Sequence, residues 1–195
     1  MGIPLLEVLL ILALLIANGV FAMSEIAIVS SRKARLQQLA EEGNASAQMA
    51  LDLATNSSQF LSTIQIGITL IGILAGAFGG ATLAEGIAIG LAVIPALAPY
   101  SEAIGVGIVV VVITYLSLII GELVPKRVAL NNPERIAATV ARPMHSLARL
   151  TSPIVRLLSS STDLVIRLLG VKPSGEPAVT EEEVKVLIEQ GTQVG

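Results

Sequence analysis

The chain has 195 residues, 53% of them hydrophobic and 14% charged, with a mean hydropathy of +0.81. Soluble domains carry about 25% charged residues, so the surface this chain must match is lipid. The formal net charge is −3; the absence of cysteine excludes disulfides, thiolate metal sites and cysteine nucleophiles, and the lone histidine, His145, gives little basis for a histidine-rich zinc site or a His-based triad.

The N-terminus is apolar from Ile3 but lacks a basic leading region, so it reads as a retained helix and not as a signal peptide. A spanning helix needs roughly 20 mostly apolar residues. Residues 3–22 supply them, and the helical pattern runs on to Ser30. The polar stretch SSRKARLQQLAEEGNASAQMALDLATNSS has apolar residues at helical spacing and predicts two short amphipathic helices broken at Gly43-Asn44. Residues 60–77 form a second span, interrupted by Ser62, Thr63, Gln65 and Thr69. Residues 83–97 carry Glu85, end near Pro95 and are short for a span, which suits a re-entrant or interfacial helix. Residues 103–120 are the third span.

Beyond Pro133 the character changes. Arg135, Arg142, Arg149 and Arg156 recur every seven residues among Ala, Leu, Val and Ile. Seven residues is close to two helical turns, so they share one face. One reading is a solvated helix face. The sharper reading is a juxtamembrane amphipathic belt at the bilayer surface, with arginines toward headgroups or acidic partners. Pro143 and Pro153 are expected to break or kink it. Residues 171–177 read as a linker. Thr180 with Glu183 then forms a capping box opening an acidic helix, expected to start a further, truncated cytoplasmic region. The expected division is therefore a transmembrane domain at 1–133, a belt at 134–170 and a regulatory beginning at 171–195.

Residues 36–125 contain no lysine or arginine, whereas Arg32, Lys33 and Arg35 lie in the first loop and the rest follow the third span. The positive-inside rule then puts the first loop and the C-terminal region in the cytoplasm, with the N-terminus outside. The fold expected is an all-α, multi-pass plasma-membrane protein.

Each span carries a stripe of small or polar residues: Ala13, Ala17, Ser24 and Ser31 in the first, Ser62, Gln65, Thr69, Gly72 and Gly76 in the second, Gly107, Thr114, Ser117 and Gly121 in the third. Such stripes, and Gly72-x-x-x-Gly76-x-x-x-Gly80 in particular, first suggest close helix packing. Three stripes facing one another would also gather hard oxygen donors, Ser24, Gln65, Thr69, Ser117 and the carboxylate of Glu122, which suit a hard cation. Glu25 and Glu122 are acids within or at the edge of the membrane, where ionised groups are costly and suggest function. Glu122 and Lys126 also stand in the favourable i, i+4 order for an ion pair. Asn18 needs an interhelical partner. Pro125 lacks a backbone donor and should free the Gly121 carbonyl four residues back, which glycine leaves unshielded toward a cation.

The stretches NGVFAMSEIAIVSSRKARL, QIGITLIGILAG and GELVPKRVAL, in that order, resemble the transmembrane domain of the CNNM/CorC family. The resemblance implies a magnesium transporter, an exporter coupled to inward sodium movement, working as a homodimer of three-span subunits. It assigns Ser24, Gln65 or Thr69, and Gly121 with Glu122 to the ion site, and Lys126 to a structural partnership with Glu122. Full-length members continue into a CBS-pair module that binds ATP, so no ATP site is expected within these residues. Alternating access is the expected mechanism, with an ion largely stripped of water and hinges at Pro125 and at Gly67, Gly72, Gly76, Gly79 and Gly80. The rivals are a non-transporting anchor or sensor that regulates another transporter, and transport of sodium or cobalt. No nucleophile–base constellation occurs, so catalysis on a covalent bond is not expected.

Overall fold

The computed structural model describes residues 3–170, and among them every regular element is helical. The capping box and acidic helix expected at 171–195 lie outside the described residues. Packing divides the chain after Val155, and the contacts below belong to the first unit.

Helix α1 (Ile3–Ser30) has 28 residues, about 42 Å at 1.5 Å per residue, longer than a hydrocarbon core of about 30 Å. Helix α2 (Lys33–Glu41) and α3 (Ala45–Thr55) follow. Gly43, at φ +93°, makes the turn between them. Asn44 caps α3, its Oδ1 accepting from Ser46 N at 3.0 Å and Ala47 N at 3.1 Å. The predicted break at Gly43-Asn44 is thus where the chain turns.

Helix α4 (Ser57–Phe78) is the second span. It runs through a π-helical turn (Gly79–Leu83) into α5 (Ala84–Ala92) with helical backbone throughout. The short helix expected near 83–97 is present, but it extends the second span and does not start from a separate loop. Helix α6 (Ser101–Leu118) returns antiparallel to it: a Cβ placed on Gly105 would meet the Ala84 carbonyl oxygen at 2.7 Å. A second π-helical turn (Ile119–Leu123) leads into α7 (Val124–Asn131). Together these last elements make the third apolar segment long enough to cross a membrane. Large side chains along all three spans stand exposed, Leu6, Ile73 and Val111 among them, as lipid-facing surface would.

Helix α8 (Pro133–Leu168) is one helix with Pro143 and Pro153 inside it. The expected break does not occur. Both prolines are on the exposed face, while Ala137, Val140, Ala141, Met144, Ala148 and Val155 form a continuous buried stripe that holds the helix across them. Its Ala137, Val140, Ala141 and Met144 join Ile28, Leu36, Ala50, Leu53, Phe60 and Ile64 in the main core, which lies where the end of α1, α2, α3, the start of α4 and α7 meet. Thr63 and Thr151 share a hydroxyl hydrogen bond of 3.1 Å across α4 and α8. The buried stripe of the amphipathic belt is therefore packed on protein, while Leu150, Ile154, Leu157 and Leu164 stay exposed. Arg135, Arg142, Arg149 and Arg156 are exposed.

Candidate functional site

The π-helical turn is the centre of the site. A π turn inserts one residue into the helical path, and such turns recur at functional positions. Here the Val124 N–H donates to the Ile119 carbonyl, five residues back. Pro125 falls in the first turn of α7, where its missing N–H is tolerated, so it does not end the span.

This segment runs parallel to α1. The pairs Asn18–Gly121, Glu25–Lys126 and Arg32–Glu134 keep a nearly constant offset in sequence as the two segments advance. Gly19 and Gly121 permit the approach: a Cβ on Gly19 would meet the Ile120 carbonyl oxygen at 2.8 Å, and one on Gly121 would meet Asn18 Nδ2 at 2.9 Å. Asn18 Nδ2 donates to the Gly121 carbonyl at 3.1 Å. The expectation that Pro125 leaves this carbonyl bare is modified: Asn18 occupies one of its two lone-pair directions. Because a carbonyl can only accept, this bond also orients the amide, and Asn18 Oδ1 is buried without a hydrogen-bond partner.

Beside Asn18 lies a cleft of about 280 Å³ between α4, its π turn and α6. Its oxygen-bearing lining is Asn18, Thr114, Ser117 and Glu122; Val109, Val110, Ile113 and Leu118 supply apolar wall. Gly72, Gly76 and Gly80 complete it, and a Cβ on any of the three would have nothing within 4 Å. The packing expected of this glycine stripe is absent among the described residues; the stripe instead leaves one wall of the cleft without side chains.

Glu122 is held at the edge of the cleft. Lys126 Nζ donates to Glu122 Oε1 at 2.8 Å and lies 3.7 Å from Glu25 Oε2. Ser24 is fully buried, and its hydroxyl donates to the Val20 carbonyl at 2.7 Å. It is not part of the cleft lining, although its oxygen keeps acceptor lone pairs. Gln65 and Thr69 are exposed and also outside the lining. Of the residues singled out from sequence, the structure brings Asn18, Ser117 and Glu122 together on one cleft, with Gly121 behind Asn18 and Lys126 bridging to Glu25. Among the described residues no group of three His or acidic side chains gathers, so the donors here are mostly neutral oxygens.

Two features escaped the sequence reading. Thr114 was visible only as a member of a small-residue stripe. Glu7, in the first span, has a buried Oε2 without a partner; an acid within an apolar run was the available signal.

The sequence matches the Cyclin M transmembrane N-terminal domain over residues 9–195. It is 56% identical over 190 residues to the UPF0053 protein sll0260 of Synechocystis, covering 97% of this chain and 42% of that protein. It is 31% identical to the UPF0053 protein YhdT of Bacillus subtilis, with 97% and 42% covered, and 28% identical to the polyamine export protein of Escherichia coli, again with 97% and 42% covered. The chain spans less than half the length of these relatives. With the three apolar spans and the match running through them, the chain belongs to the CNNM family and carries its transmembrane N-terminal domain.

Proposed function

We propose that this domain moves magnesium across the plasma membrane, as a sodium-coupled exporter working by alternating access in a homodimer. The observation that carries the reading is the cleft, where Asn18, Thr114, Ser117 and Glu122 present hard oxygens from two spans. Magnesium prefers such donors and gives up its water reluctantly. About 30 Å³ per water leaves room in about 280 Å³ for an ion that keeps part of its hydration, instead of one stripped of it. Glu122 neutralises charge, and the neutral oxygens keep binding weak enough for release. Ser24 and the second lone pair of the Gly121 carbonyl join the donor set when the spans rearrange. In this reading the first loop and the C-terminal side face the cytoplasm, and the exposed arginines of α8 face headgroups.

The test is magnesium efflux from proteoliposomes with an imposed sodium gradient. Flux that follows the gradient supports the reading; a silent protein favours a sensor or anchor. A second reading is polyamine export, because one relative bears that name and the wall of Val109, Val110, Ile113 and Leu118 beside Glu122 suits a methylene chain with a terminal ammonium. Labelled putrescine in the same vesicles separates the two.

A further inference from the structure

The ion-pair cluster beside the cleft contains two carboxylates and one ammonium. Lys126 comes from α7, Glu122 from the π turn of the same segment, and Glu25 from α1. The ammonium is close to Glu122, at 2.8 Å, and only loosely paired with Glu25, at 3.7 Å. All three side chains are partly exposed, 30% for Lys126, 44% for Glu122 and 28% for Glu25, so none is locked in place by packing. Lysine is a compact point charge on a flexible four-carbon stem, able to swing between acceptors that a planar guanidinium would fix. Glu122 alone of the three lines the cleft.

We propose that Lys126 is a built-in competing cation. Its ammonium occupies Glu122 while the cleft is empty, moves to Glu25 when a divalent cation takes Glu122, and returns to displace that cation. The charges follow: two carboxylates and one ammonium sum to −1, and a divalent cargo makes the cluster +1. Without Lys126 the carboxylate of Glu122, the one of the pair that lines the cleft, would be uncontested and would retain a divalent ion. Lys126 thereby sets the affinity of the cleft and speeds release, a role distinct from steadying Glu122. The inference rests on the transport reading above.

The experiment titrates magnesium chloride into the purified chain in nanodiscs, alongside flux in proteoliposomes. Lys126→Gln is expected to bind magnesium about tenfold more tightly, the scale of one removed charge a few ångströms from a divalent cation under water-like screening, while its flux falls. Lys126→Arg keeps the charge but swings less readily, and is expected to bind near wild-type strength with slower flux. Glu25→Gln removes the alternative berth and is expected to weaken binding severalfold in wild type but to have little effect in the Lys126→Gln background, because Glu25 acts through the lysine. A merely structural lysine predicts weaker binding in Lys126→Gln; that result, or a Glu25→Gln effect undiminished in the double variant, overturns the proposal. Should Lys126→Gln fail to fold, Glu25→Gln decides: unchanged or tighter binding overturns it. A wild-type chain that carries no magnesium flux sinks the transport reading itself, whereas normal wild-type flux with the wrong order of affinities sinks only the role of Lys126.

Discussion

Asn18 of α1 donates its amide to the carbonyl of Gly121 at 3.1 Å, across a helix pair whose backbones nearly touch, and its own Oδ1 is left buried without a partner. A buried amide that donates across a helix pair ties the two helices together and keeps its oxygen as an acceptor. Asn18→Ala removes both, and a loss of about 1 kcal/mol is expected. Asn18→Asp places an acceptor against the Gly121 carbonyl and is expected to lower stability further. Thermal unfolding in detergent, followed by circular dichroism, checks the order.

The glycines divide into two classes. A methyl at Gly19 would strike the Ile120 backbone oxygen at 2.8 Å and the Pro125 ring at 3.0 Å, and neither can rotate away. Gly19→Ala is therefore expected to destabilise by about 1–3 kcal/mol. A methyl at Gly76 meets nothing within 4 Å. Gly76→Ala is expected to unfold no earlier than wild type, since alanine gains up to about 1 kcal/mol over glycine in a helix, yet to reduce flux by narrowing the cleft. Unfolding and flux measured on the same two variants would show opposite defects; matching defects would contradict the assignment of Gly76 to the cleft.

Glu122→Ala is expected to abolish magnesium flux. Its partner Lys126 stays partly exposed and close to Glu25, so the stability change should remain within about 1 kcal/mol, as for exposed ion pairs. Undiminished flux would remove Glu122 from the mechanism.

Leu36 is the buried residue of α2 and is fully enclosed in the main core. Leu36→Ala is expected to lose about 2–5 kcal/mol locally, releasing α2. Faster proteolysis after Lys33 and Arg35, with the spans still intact, is the expected readout.

Much of this protein was legible along the chain because the bilayer demands long apolar segments and because loops declare themselves by charge. Three spans follow from apolar length, the turn from the Gly43-Asn44 break and the amphipathic face of α8 from periodicity. The uninterrupted course of α8 does not: Pro143 and Pro153 carry a local penalty, and only the buried stripe packed on α3 and α4 overrides it. Gly72, Gly76 and Gly80 show the same limit. A small-residue stripe permits helix contact, but the sequence cannot say whether another helix takes up the space or a cleft is left there.

Sequence alone determined that this chain lives in lipid, where its spans lie and which few polar residues must answer for themselves there. Tertiary structure decided how they answer. Asn18 meets Gly121 because two glycines let α1 and the π turn approach; Lys126, already beside Glu122 along its own segment, also reaches Glu25 because that segment and α1 run parallel in one register. Hydrophobic periodicity is a property of each segment by itself, whereas a partner for a buried polar group depends on the offset between segments far apart in the chain. That offset is set by packing.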